Sequence, residues 1–85
     1  MTLQQIETAL ERKPNKDQVF EIKFKTRSPI KGIFIKTPDY TELSRKNLWR
    51  IVSENYIAEY KKTSDESLAR IFNGVEFTKL MAEEK

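Results

Sequence analysis

Apolar side chains fall into two periods along this chain. Leu3, Ile6 and Leu10 recur at spacings of three and four, with Ala9 beside them. That is one apolar stripe on a helix of about three turns. Thr2-Leu3-Gln4-Gln5 has the form of a capping box, with Thr2 as N-cap and Gln5 at the third helical position. Lys13 suits the negative end of the helix dipole, and Pro14 ends the helix. A polar connection over 14–17 follows. Val19–Lys25 then alternates, with Phe20, Ile22 and Phe24 on one face and Glu21, Lys23 and Lys25 on the other. This is the period of a half-buried strand.

Thr26–Pro29 predicts a turn, and Ile30–Lys36 a second strand with Ile30 and Phe34 inward and Gly32 between them. An inward glycine weakens a strand unless the strand bends there or another backbone comes close. Thr37–Lys46 is polar and holds Pro38 and Asp39, which predicts a loop with at most one helical turn. Leu48–Val52 and Tyr56–Lys61 predict a third and fourth strand around Ser53-Glu54-Asn55, or one long bulged strand. After a polar loop at Lys62–Ser67, Leu68–Phe72 and Val75–Leu80 flank Asn73-Gly74, a strong hairpin signal. Residues 81–85 are a tail. There is no internal repeat and no low-complexity segment.

A helix followed by about five short strands with tight turns predicts a mainly β fold with an N-terminal α-helix. The expected architecture is a small, five-stranded, strongly bent antiparallel barrel of the Sm-like or Src-homology type. It forms one domain over residues 1–85, with the helix at 1–13 capping an open end of the barrel at 18–80. Ile33 and Ile35 point opposite to Ile30 and Phe34, so the second strand is apolar on both faces. The N-terminal helix is expected to cover them; left bare, they would form a patch for a partner or another copy. The last strand offers an open edge for strand pairing.

Composition supports one folded domain: 85 residues, 38% hydrophobic, with nine aromatics. With no cysteine, disulfides contribute nothing, and packing, or packing plus oligomerisation, must hold the fold. Nothing resembles a signal peptide, because Gln4, Gln5 and Glu7 interrupt the first apolar residues, and no run matches a membrane span. A cytoplasmic protein is expected. The net charge of +3 is unevenly spread. Residues 23–50 carry eight basic side chains against Asp39 and Glu42, whereas both flanking segments are net acidic. Such a patch attracts polyanions, although lopsided charge also serves solubility.

Enzyme chemistry has little to work with. No histidine and no cysteine removes the usual general base, the soft metal ligands and the thiol nucleophile. Asp65-Glu66 and Glu83-Glu84 fall in a loop and a tail, and two glycines in all make no phosphate cradle. No catalysis, metal or cofactor is expected.

Nucleic-acid binding has a stronger case. Lys23 and Lys25 share one strand face, Arg27 and Lys31 flank the next turn, and Arg45, Lys46 and Arg50 bracket Asn47 and Trp49. Cations hold phosphates, an aromatic offers a stacking platform, and an amide can read a base edge. A single Trp in so small a domain is more often core than platform. Tyr40, in the polar loop, is the aromatic expected at the surface.

One strand alternating Phe20, Ile22, Phe24 leads into a second with Ile30, Gly32, Phe34 in the same phase. Asn47-Leu48 opens the third strand, and "RIFNGVEFTKL" puts Gly74 between two short strands. Over about three-quarters of its length the chain thereby resembles the Sm-like family of small barrels with an N-terminal helix. The loop between Gly32 and Asn47 is longer than usual there; Leu43 replaces an acidic residue and Asn73 a basic one. The resemblance implies single-stranded RNA as partner, the Leu43 and Asn73 positions in the family's uridine pocket and its bracing, and edge strands that pair between subunits. The expected function is therefore a non-enzymatic barrel that binds RNA through Lys23, Lys25, Arg27, Lys31, Arg45, Lys46, Asn47, Arg50 and Asn73. A protein-interaction module whose positive charge only solubilises it is the alternative.

Overall fold

Helix α1 (Leu3–Arg12) starts as its capping box requires. The Thr2 N–H donates to Gln5 Oε1 at 3.0 Å, and the Gln5 N–H donates to Thr2 Oγ1 at 3.2 Å. Two of the first-turn amides left without helical partners are thereby satisfied. The computed structural model describes residues 1–12 and 18–83. The expected helix end at Lys13-Pro14 and the connection after it lie outside the described residues, as does the end of the tail.

Strands β1 (Phe20–Phe24) and β2 (Ile30–Phe34) form the expected antiparallel pair, with Ile22 opposite Ile30 and Phe20 opposite Gly32. Gly32 answers its own question: a Cβ there would stand 2.6 Å from the Val52 carbonyl oxygen and 2.8 Å from Ile51 Cγ2. The backbone of β3 (Leu48–Ser53) comes that close because it pairs with β2 at Gly32–Ser53. The segment between β2 and β3 holds a short helix, α2 (Tyr40–Arg45).

Two expectations fail next. Tyr56–Lys61 is not a strand but the body of helix α3 (Glu54–Thr63). Glu54 in its first turn and Lys61 and Lys62 in its last complement the helix dipole, while Ile57 and Tyr60 share one face. Ser64, in left-handed conformation at φ 55°, terminates it with its N–H on the Tyr60 carbonyl at 2.6 Å. The polar loop after it contains one turn of 3-10 helix, Glu66–Leu68.

The terminal hairpin also fails. Strand β4 (Arg70–Asn73) and strand β5 (Phe77–Ala82) flank the expected turn, a 3-10 turn at Gly74–Glu76, yet they do not pair with each other. Strand β4 pairs with β3, and β5 with β1, where Met81 and Ala82, expected in the tail, are strand residues opposite Glu21 and Phe20. The result is one five-stranded antiparallel sheet in the order β4-β3-β2-β1-β5. Laid flat, such a sheet would hold its outer strands about 19 Å apart. Three residues of 3-10 helix rise only about 6 Å. The sheet must therefore curl, and the rings of Phe24 on β1 and Phe72 on β4 meet across it at 5.8 Å between centroids. No ladder joins β4 to β5, so among the described residues the sheet is not closed into a barrel.

The curled sheet has two apolar faces. Inside it, Phe20, Ile22, Trp49, Ile51 and Phe77 are buried with Ile6 of α1. Aromatic edges hold this core together, with Phe34 edge-on to Phe20, Trp49 and Phe77 at 5.6–6.4 Å. On the outer face Ile33, Ile35 and Val52 are buried beneath Ile57 and Tyr60. Helix α3, rather than α1, therefore covers the second face of β2. No helix among the described residues is long and apolar enough to cross a membrane.

Candidate nucleic-acid interface

The hairpin β1–β2 carries four of the expected cations. Lys23 stands on the outer face of β1, directly opposite Lys79 of β5. Lys25 follows, and its backbone N–H donates to the Glu76 carbonyl at 3.0 Å. Arg27, in the turn, lays its guanidinium over Phe24 and Phe72 at 5.2 and 5.7 Å from the ring centroids. It bridges β1 to β4 where no backbone ladder does, with its outer edge in solvent. Lys31 lies opposite Glu21, and its ammonium pairs with Glu83 at 2.9 Å. That hydrogen bond and charge raise the Lys31 pKa above its ordinary value.

The second expected cluster is divided between surface and scaffold. Arg45 and Lys46 are exposed at the end of α2. Arg50 is instead held in a fork by Asp39, Nε to Oδ1 at 3.3 Å and NH2 to Oδ2 at 2.8 Å. Asp39 also accepts from the Thr37 hydroxyl. The Arg50 and Thr37 hydrogen bonds hold the Asp39 carboxyl below its usual range.

Asn47 does not offer its amide to a base. At φ 59° it turns the chain from α2 into β3, a conformation Asn tolerates better than most residues. Its Oδ1 accepts from Trp49 Nε1 at 2.8 Å, its Nδ2 donates to the Met1 carbonyl at 3.0 Å, and its own carbonyl accepts from the Gly74 N–H at 2.7 Å. Trp49 is 1% exposed and belongs to the core. Tyr40 is no free platform either: it is half-buried, edge-on to Trp49 at 6.0 Å, and carries Lys36 over its ring at 5.4 Å. Burial, with Glu7 and Glu11 nearby, raises its phenol pKa. Asn73 is exposed, but its Oδ1 accepts from the Val75 N–H at 3.0 Å and shapes the 3-10 turn.

The arrangement thus gathers Lys23, Lys25, Arg27 and Lys31 on one hairpin, adds Lys79, and leaves Arg45 and Lys46 as a separate pair. Sequence reasoning misses Lys79, because its significance lies in its partner. Only the pairing of β5 with β1 sets it against Lys23. Among the described residues no group of three histidine, cysteine or carboxylate side chains is placed to hold a metal ion. Searches of protein-family models, curated proteins and solved structures found no match to this chain.

Proposed function

We propose that the protein is a non-enzymatic small barrel of the Sm-like type that holds single-stranded RNA by its phosphate backbone. What supports the fold half of this reading is the sequence of parts. A capped N-terminal helix precedes five antiparallel strands, with Gly32 at a close backbone approach and Gly74 in a short turn between the last two. The inserted helix α3 and the missing β4–β5 ladder depart from a simple barrel.

One observation carries the functional half. Among the described residues Lys23, Lys25 and Arg27 form no ion pair, while Lys31 and Arg50 are neutralised by Glu83 and Asp39. Asn47 and Trp49 spend their side-chain polar groups inside the fold, and the exposed Asn73 engages its Oδ1 in the 3-10 turn. Binding then depends on charge rather than on base edges, and it is tolerant of sequence. The test is titration with fluorescent oligouridine and oligoadenine at two salt concentrations. Similar affinities for both, falling steeply with salt by about 0.7 log units per phosphate contact per log unit of salt, are expected. The Lys23→Glu, Lys25→Glu double variant should lose binding while keeping its fold. No binding at low salt would overturn the reading.

A second reading rests on Ile71 and Val75, large apolar residues 47% and 51% exposed in and after β4. Among the described residues strands β4 and β5 each keep one unpaired edge. Self-association through these edges predicts a concentration-dependent sedimentation coefficient that Ile71→Lys abolishes.

A further inference from the structure

We propose that Lys23 and Lys79 together form the anchor for the phosphodiester backbone of a single-stranded RNA, on the outer face of β1 and β5. The inference rests on the RNA reading above and assigns it a place. The two residues are direct cross-strand partners. Directly opposed side chains start with Cβ atoms roughly 4.5–5.5 Å apart, where like charges destabilise a sheet. A sequence selected for stability alone places an opposite charge or a neutral residue at one of the two positions.

Among the described residues the surroundings do not relieve this repulsion. Glu21, one step along the outer face, is the cross-strand partner of Lys31, and Lys31 itself sits on Glu83. Both acids therefore share a cation at the far end of the hairpin. Lys25, the next outer position in the other direction, adds positive charge, with Glu76 of the turn as the nearby acid. Between Lys23 and Phe24 the register shifts, so Thr78 is an extra residue in β5 beside the lysine pair. Such bulges bend a strand and re-aim its side chains. Nor do the described helices cover the face: α3 packs on β2 and β3, and α1 packs inside the curl. Two ammonium groups on flexible stems, on an open face, can converge on one phosphate or on two successive ones. A bound phosphate supplies the negative charge that the pair lacks.

The pair therefore costs stability in the free protein and supplies affinity in the complex, and one set of variants reads both. Lys79→Glu converts the repulsive pair into an attractive one, and Lys79→Gln removes the repulsion alone. Lys62→Glu, on the exposed side of α3, makes the same change in net charge elsewhere. In the free protein Lys79→Glu should raise Tm by about 2–5 °C and Lys79→Gln by less. In oligouridine titrations at low salt, Lys79→Glu should weaken binding about tenfold or more, and Lys62→Glu less than threefold. The slope of log affinity against log salt should shrink by about 0.7 for Lys79→Gln. A lower Tm for both Lys79 variants would overturn the proposal. So would wild-type binding that Lys79→Glu weakens no more than Lys62→Glu does, which would leave the RNA reading standing elsewhere on the surface. If the wild type binds no oligouridine at all, the RNA reading falls and the anchor with it.

Discussion

Asn47 shows how much a single side chain decides here. Its left-handed backbone turns the chain, and its amide joins Trp49, Met1 and the Gly74 turn. Asn47→Ala leaves the buried Trp49 N–H without its partner and forces an alanine into left-handed geometry. The expected loss is about 2–4 kcal/mol by urea unfolding. Asn47→Gly keeps the backbone comfortable and should recover about 1 kcal/mol of that. Gly74 is confined by the same contacts: a Cβ there would collide with the Asn47 amide and stand 2.5 Å from Ile6 Cδ1. Asp39 sets the acid response. Its pKa lies below 3.8 in the fold through the Arg50 and Thr37 hydrogen bonds, so the unfolded chain binds this proton more readily. Its contribution is fully present above pH 3.8 and fades as pH falls through the lower, folded value. Between pH 5 and pH 2 the urea midpoint should fall less steeply in Asp39→Asn than in the wild type, with the two curves converging at the acid end.

Among the elements, α3 carries the clearest lesson in competing periods. Tyr56, Ala58 and Tyr60 alternate as a strand would, while Ile57 and Tyr60 also stand one helical turn apart. Tyrosine and isoleucine favour strands intrinsically, but that preference is weak beside tertiary packing. The deciding fact is the bare outer face of β2 and β3, which needs a cover that a further strand in the same sheet cannot provide. Ile57→Ala should therefore cost about 1–3 kcal/mol, because the truncated side chain no longer packs over Ile33, Ile35 and Val52. At the other end, Ser64→Gly should stabilise by about 1 kcal/mol, since glycine enters the left-handed region without the Cβ clash that Ser64 bears at φ 55°. Chemical denaturation of the two variants checks both signs.

For the whole molecule, curling of the sheet is the organising event. It brings β1 and β4 close enough for Phe24 and Phe72 to touch beneath Arg27, and it encloses a core that α1 plugs with Ile6. Ile6 is fully buried, with Leu3 and Leu10 beside it. Ile6→Ala should cost about 2–5 kcal/mol, a large part of the stability of so small a domain. Near-ultraviolet circular dichroism should register the loss, because Trp49 and Phe77 belong to the same cluster.

The amino-acid sequence by itself determined whatever depends on near neighbours. The capping box of α1, the alternation of β1 and β2 with Phe20 and Ile22 inward, the demand of Gly32 for either a bend or a close backbone approach, and the turn at Asn73-Gly74 all follow from a few adjacent residues. It also marked the cations of the β1–β2 hairpin, because Lys23, Lys25, Arg27 and Lys31 lie close together in the chain. Tertiary structure alone decided that α3 is a helix, that β4 and β5 part company across the turn, and that Asn47 and Arg50 serve the scaffold. It alone set Lys79 against Lys23. The physical reason is common to these cases: strand partners, cover for an outer face and counter-charges are chosen between residues far apart in the chain. Local periodicity records which side of a segment is apolar, and the identity of the opposing surface is fixed only when the sheet curls.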